Sequence, residues 1–272
     1  MSERRVVLVT GSTDGIGRAT ARALAAAGVK VLVHGRSKPK VEATLAELRA
    51  ELPGAELEGV SFDLGSLASV RKGAEQVLAR APALHVLINN AGIVTDECVV
   101  NEDGIELTFA VNHVGPFLLT ELLAPRLEAS ATQQASRVIN LASIAHTRGR
   151  LQLDDLTLGR AWSGYAAYAQ AKLASVMHVI ELAARRDPAK LVAYALHPGV
   201  VATKLLRQGW GPIQAASVET GARNTMRLAT GEVVEPSGTY FSEATPTPPA
   251  AAARDASARE ALWHASLRLA RV

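Results

Sequence analysis

Val6-Val7-Leu8-Val9-Thr10 runs directly into Gly11-Ser12-Thr13-Asp14-Gly15-Ile16-Gly17, after which a helical pattern begins. A continuous apolar run, rather than an alternation, suits a strand covered on both faces. Glycines let the chain turn sharply and let its backbone approach a ligand closely. The helix that follows presents unpaired N–H groups and the positive end of its dipole. Strand, Gly-rich turn and helix N-terminus in that order form an anion site suited to a pyrophosphate. Outside that context the same glycines would be an ordinary turn. The spacing is G-x-x-x-G-x-G, not the commoner G-x-G-x-x-G.

The alternation continues outward from this unit. Apolar runs recur at Val31–Val33, Leu57–Phe62, Val86–Ile88, Val138–Leu141 and Leu191–Leu196. Between them lie helix-like stretches near 15–27, 38–51, 66–80, 103–129 and 166–186. Strand and helix alternating in this way predict an α/β fold: a single-domain, Rossmann-type, doubly wound parallel sheet of about seven strands with helices on both faces. Thr239–Phe241, opened by Gly238, supplies a last short strand. Residues 1–243 read as one dinucleotide-binding domain, with a substrate loop at 203–220. Residues 244–272 read as a Pro/Ala-rich extended link, 244–253, and a C-terminal helix near 254–270.

Composition bounds the function. Of 272 residues, 48% are hydrophobic, enough for a sizeable core, and 20% are charged, a globular rather than disordered balance. A net charge of +3 without a Lys/Arg run gives no reason to expect a nucleic-acid partner. The single cysteine, Cys98, excludes an internal disulfide. Cys98, His34, His113, His146 and His197 lack metal-ligand spacing and read as structural, so no metal is expected. Met1-Ser2-Glu3-Arg4-Arg5 leads straight into the first strand, too briefly for a signal sequence. No stretch of about 18 uninterrupted apolar residues marks a membrane span. The expectation is a cytoplasmic protein with a small-molecule substrate.

Further segments punctuate the strand ends. Asn89-Asn90-Ala91-Gly92 closes the fourth strand and Asn140-Leu141-Ala142-Ser143 the fifth. Tyr168-Ala169-Gln170-Ala171-Lys172 opens a helix, and His197-Pro198-Gly199, with Thr203 beyond it, follows the sixth strand. In this order, over essentially the whole length, the chain resembles the short-chain dehydrogenases/reductases. Phe109–Phe117 and Ser237–Ser242 look most like the retinol dehydrogenase and protochlorophyllide reductase-like branch. The resemblance implies oxidoreductase chemistry on CH–OH or C=O groups with a nicotinamide cofactor. It implies a catalytic set of Asn112, Ser143, Tyr168 and Lys172. It also implies a cofactor set of Gly11, Ser12, Thr13, Asp14, Gly15, Ile16 and Gly17 at the turn, with Arg36, Asp63, Leu64, Asn90, Ala91 and Gly92. Tyr168, Lys172, Pro198, Gly199, Val200 and Thr203 would complete that set around the nicotinamide and its ribose.

The residues fit those roles chemically. Tyr168 and Lys172, four apart, share a helix face. An ammonium beside a phenol favours phenolate, so a tyrosine pKa below its usual value near 10 is expected. Tyr165 competes for the role, but only Tyr168 has a lysine at i+4. Ser143 can polarise a substrate carbonyl, or it can simply cap a turn. Pro116 has no N–H to give to the Asn112 carbonyl, which is left to hold a water. Asp63 reads equally as an adenine-side contact or as a helix N-terminal carboxylate. The 25 residues from Ser143 to Tyr168 leave an insertion near 146–164, suited to shaping the substrate pocket or covering an oligomer face. The expected state is accordingly a monomer or small homo-oligomer.

Cofactor choice rests on the end of the second strand, Val33-His34-Gly35-Arg36-Ser37-Lys38. NAD sites place a carboxylate there for the ribose 2′-OH. Here Gly35 takes that place, and Arg36 suits a 2′-phosphate, so NADP(H) is favoured. Asp14 opposes this, being negative beside the same phosphate. The reading is an NADPH-dependent carbonyl reductase or alcohol dehydrogenase for an apolar substrate. Its rivals are an NAD-preferring alcohol dehydrogenase of the same fold and a non-catalytic cofactor-binding regulator, whose mark would be loss of Ser143, Tyr168 or Lys172.

Overall fold

Val6–Val9, β1, lies in the interior of the sheet and alternates its side chains between two separate cores. Val6 and Leu8 join one apolar cluster, and Val7 and Val9 the other. That double burial is why the strand reads as a continuous apolar run. The computed structural model describes residues 5–231 and 235–272. Met1–Arg4, read above as a polar lead-in, lie outside the described residues.

The remaining strands are β2, Lys30–Gly35; β3, Leu57–Ser61; β4, Val86–Asn89; β5, Ser136–Leu141; β6, Leu191–His197; β7, Tyr240–Ser242; and β8, Thr245–Pro246. Their order is β3-β2-β1-β4-β5-β6-β7-β8, parallel except for β8, which runs antiparallel to β7. The order reverses between β1 and β4, which places a crevice beyond the carboxyl ends of those strands. Helices α1, Gly15–Ala26, α2, Lys38–Glu51, and α8, Val218–Thr230, contribute Leu24, Leu45, Leu48 and Leu228 to one core. The other core holds α3, Leu67–Arg80, and residues of α5, Gly115–Ala129, and α6, Gly164–Arg185.

Three expectations are corrected. The helix expected over 103–129 begins at Leu107, because the Asn101 side chain accepts the N–H groups of Asp103 and Ile105 and closes a turn. It then runs as α4, Leu107–Phe109, a π turn, Ala110–Val114, and α5. Within the π turn, Gly115 N–H bonds the Ala110 carbonyl, and Pro116, next along, has no N–H to restore α spacing. The stretch read as an extended link contains β8, which adds a short antiparallel edge to the expected sheet of about seven strands. The C-terminal helix is two pieces, α9, Ala251–Arg254, and α10, Ala256–Ala270. Asp255 caps the second by accepting from Ala258 N–H at 3.1 Å.

The outer face of α5 and α6 is covered by α10, not by the 146–164 insertion. Trp263 stands edge-on to Phe117 at 5.0 Å, and the Arg185 guanidinium lies 4.7 Å over its ring. His113 Nε2 and Ser266 Oγ share a hydrogen bond of 2.8 Å. The insertion instead follows the start of α6. Gln170 accepts from Gln152 N–H and donates to the Leu156 carbonyl, both at 3.0 Å. The stretch Leu107–Ala129 is long and apolar enough to cross a bilayer, but 83% of its most apolar window is buried against the rest of the fold.

Candidate active site

The Gly-rich turn is shaped by contacts that exclude side chains. Gly11 has φ +64°, and a Cβ there would lie 2.9 Å from Ala91 Cα. A Cβ on Gly17 would meet the Gly11 carbonyl oxygen at 2.4 Å. Gly11 N–H donates to His34 Nδ1 at 2.9 Å, so that nitrogen is the acceptor, and Nε2–H donates to the Phe62 carbonyl at 3.0 Å. Burial holds this histidine neutral and lowers its pKa to about 4. Asn90 fastens the turn by donating to the Thr10 carbonyl at 2.7 Å. Asp14 caps α1, its Oδ1 accepting from Gly15 N–H at 2.7 Å.

Ser12 departs from its expected cofactor role. It is fully buried, its N–H donates to the His34 carbonyl at 2.8 Å, and its Oγ donates to the Val9 carbonyl at 2.8 Å. Ser12 therefore stitches β1 to β2, with neither donor left for a phosphate. The other expected cofactor residues line one cleft of about 930 Å³ that also holds Ser143, Tyr168 and Lys172. Asp63 does two things: it lines the cleft, and its Oδ1 accepts from Gly65 N–H at 2.8 Å. Thr203 lines the cleft and caps α7, Lys204–Trp210, accepting from Leu206 N–H at 3.2 Å.

Helix α6 begins at Gly164, where Ser163 accepts from Ala166 N–H, so Tyr165 and Tyr168 are both helical. They differ in surroundings: Tyr165 is 48% exposed and Tyr168 5%. Lys172 Nζ donates to the Leu141 carbonyl at 2.7 Å and lies 5.6 Å from the centre of the Tyr168 ring. The expected lowering of the Tyr168 pKa does not occur in the protein alone. Burial pushes the phenol up to about 12, opposed weakly by the nearby Ser143 hydroxyl. Burial also brings Lys172 down to about 8. Desolvation disfavours both charged forms.

Ser143 lies two residues past β5 and caps a short 3₁₀ turn, Ile144–Arg148, its Oγ accepting from Ala145 N–H at 3.2 Å. Asn112 lies in the π turn behind the cleft wall rather than lining it. Its amide is matched to the Ile93 peptide, accepting from N–H at 2.8 Å and donating to the carbonyl at 2.9 Å. A Cβ on Gly92 would stand 3.3 Å from Asn112 Oδ1 and 3.5 Å from Lys172 Nζ, which puts that glycine between the two.

An apolar wall faces these polar groups. Ala145, Tyr168 and Ala169 cluster with Val94, Leu205 and Trp210, and the Trp210 ring stands edge-on to Tyr168 at 5.2 Å. Leu205 and Trp210 fall in the substrate loop read at 203–220, whereas nothing in the sequence pointed to Val94 or Ala145, whose types carry no chemical signal. At the other end, a Cβ on Gly35 would lie 2.7 Å from Thr13 Cγ2 and 3.1 Å from Val41 Cγ2. No carboxylate fits there without moving both neighbours. Arg36 is exposed at the cleft and makes no ion pair among the described residues.

A family model described as short chain dehydrogenase matches residues 5–210. Retinol dehydrogenase 12 of Mus musculus is 38% identical over 97% of this chain and 86% of its own length. Polyprenol dehydrogenase of Mus musculus is 38% identical, covering 97% and 83%. Dehydrogenase/reductase SDR family member 13 of Homo sapiens is 40% identical, covering 98% and 73%. Among solved structures, an uncharacterized protein from Mycobacterium Paratuberculosis superimposes with a TM-score of 0.82 at 32% identity, covering 98% of this chain and 94% of that one. A structure described as an NAD(P)-dependent gluconate 5-dehydrogenase from Beutenbergia cavernae, with NADP bound at low occupancy, gives 0.69 at 25% identity, covering 88% and 94%.

Proposed function

This chain belongs to the short-chain dehydrogenase family, an NAD(P)-dependent oxidoreductase of CH–OH or C=O groups, and from that premise we propose an NADP(H)-dependent reductase of apolar aldehydes or ketones, reversible as an alcohol dehydrogenase. The observation that carries this reading is the convergence of Ser143, Tyr168 and Lys172 on one cleft whose far end is the Gly-rich turn.

The cofactor fits the cleft by the shape of that turn, where glycines leave backbone room for a pyrophosphate at the α1 N-terminus. When bound, a nicotinamide supplies or accepts the hydride. Ser143 Oγ and Tyr168 OH hold the carbonyl oxygen of the substrate. A phenol with pKa near 12 keeps its proton at neutral pH, so Tyr168 holds a proton to give to the substrate oxygen. Lys172 holds the ribose hydroxyls and returns a proton toward Tyr168, its pKa near 8 making that transfer easy. The Asn112 carbonyl, without an N–H from Pro116, offers an acceptor for the water that refills Lys172.

Arg36 supports NADP(H), having no competing partner among the described residues and a geometry suited to the 2′-phosphate. Crowding at Gly35 supports it too, by excluding the carboxylate of an NAD site. Val94, Leu205 and Trp210 support a long apolar substrate. Relatives named for retinol and polyprenol suggest the same class: an isoprenoid-like alcohol and its aldehyde. The test is oxidation of NADPH against NADH with a panel of short and long aldehydes. The reading expects NADPH and the longer chains to win, and fails if no carbonyl compound is reduced with either cofactor.

A further inference from the structure

His146 lies three residues past Ser143 and is almost fully buried, 1% exposed. Both ring nitrogens are engaged. Ala250 N–H, which can only donate, points at Nε2 at 3.1 Å, so Nε2 carries no proton. The proton is therefore on Nδ1, which donates to the Ser143 carbonyl at 2.7 Å. The ring also packs against Tyr240 of β7, tilted by 52° with centroids 4.6 Å apart. Ala250 is the residue before α9, so one imidazole bridges the Ser143 backbone to the C-terminal segment across 104 positions of sequence.

The 3₁₀ turn is pressed from its other side by α6. A Cβ on Gly149 would sit 2.5 Å from the Ala169 carbonyl and 2.8 Å from Leu173 Cβ. The Ser143 backbone is thus clamped between the helix that carries Tyr168 and the segment that carries Ala250. A hydroxyl that must meet a carbonyl oxygen together with a phenol on another element depends on such a clamp. Misplacing a reacting group by about 1 Å can cost a hundredfold in rate.

We infer that His146 is a positioning residue, and that the Ala250 N–H is its anchor: together they strap Ser143 into register with Tyr168. This rests on the role given to Ser143 above. Three variants separate the possibilities. His146→Phe keeps the ring on Tyr240 and removes both hydrogen bonds. Ala250→Pro, at a residue whose φ of −47° and ψ of 146° proline can adopt, replaces the N–H with a Cδ directed at Nε2, so the ring loses its anchor and must move off it while the imidazole itself is retained. Ser143→Ala tests the role on which the strap depends.

The measurements are kcat and KM with decanal, NADPH affinity and the unfolding midpoint. The strap predicts that His146→Phe and Ala250→Pro each lower kcat by about tenfold or more with KM and NADPH affinity little changed, while the midpoint falls with the buried hydrogen bonds each variant loses. The double variant should be no slower than the slower single. Ala250→Pro with wild-type kcat, or a double variant whose losses multiply, overturns the strap while Ser143→Ala is inactive. Wild-type kcat in Ser143→Ala would overturn the assigned role of Ser143, and the strap with it.

Discussion

Tyr165 and Tyr168 are three residues apart on one helix, yet only one is placed for proton transfer. Tyr168 is buried beside Ser143 and Lys172, whereas Tyr165 stands at the exposed rim. Tyr168→Phe keeps the ring and removes the proton, so turnover should fall by roughly 10²–10⁴-fold while NADPH binding, read by fluorescence titration, is retained. Tyr165→Phe should stay within a few-fold of wild type, and the reverse pattern would exchange the two roles. Arg36→Ala removes a charge-assisted contact worth about 1.5–3 kcal/mol, or roughly 10- to 150-fold in NADPH affinity. NADH should be unaffected, and salt should weaken the native preference because Arg36 is exposed. Equal losses for both cofactors would remove the 2′-phosphate from the account. At this scale the sequence was legible where a motif names a side chain that lines the cleft. It was not legible where burial decides, as for Ser12, whose polar groups bond β1 and β2, or Tyr168, whose pKa rises instead of falling.

Helix α7 illustrates what an element adds. Thr203 starts it, and its last residue, Trp210, reaches back to stand against Tyr168, so a seven-residue helix forms one wall of the substrate space. Trp210→Ala should raise KM for a long aldehyde such as decanal by roughly tenfold or more and leave propanal nearly unchanged, since burying a large apolar group contributes about 1.5–3 kcal/mol. An equal effect on both aldehydes would make Trp210 a support for Tyr168 rather than a substrate contact. Most elements were legible because strands buried on both faces leave unbroken apolar runs, and β1 was read to the residue. The extended helix at 103–129 was misread because Asn101 closes a turn through its own side chain, which periodicity does not register. The place of α10 was not legible either. Its apolar residues announce a face to bury, but only the fold shows that α5 and α6 supply the partner.

Across the whole molecule, burial holds histidines neutral, and in four of them the effect is large. Burial lowers His34, His113, His178 and His197 to about 4, 3, 3 and 4 respectively. Each titrates near 6.5 once unfolded. Between those values the unfolded chain binds more protons than the native one, so stability is lost as pH falls from about 6.5 toward 4. With all four engaged, the slope reaches about 5 kcal/mol per pH unit. Urea midpoints should therefore drop steeply between roughly pH 7 and pH 5, and His178→Gln should shallow that drop by about a quarter. A midpoint constant over that range would contradict it. The central claim is that this cleft moves a hydride between a nicotinamide and a carbonyl carbon while Tyr168 supplies the proton. The most direct measurement is product analysis after incubation with decanal and NADPH stereospecifically deuterated at the nicotinamide C4, one sample for each face. Expected is decanol carrying one deuterium at C1 from one of the two cofactors with wild-type protein, formed roughly 10²–10⁴-fold more slowly with Tyr168→Phe. Unlabelled decanol from both cofactors, or labelled decanol formed equally fast by Tyr168→Phe, would contradict it.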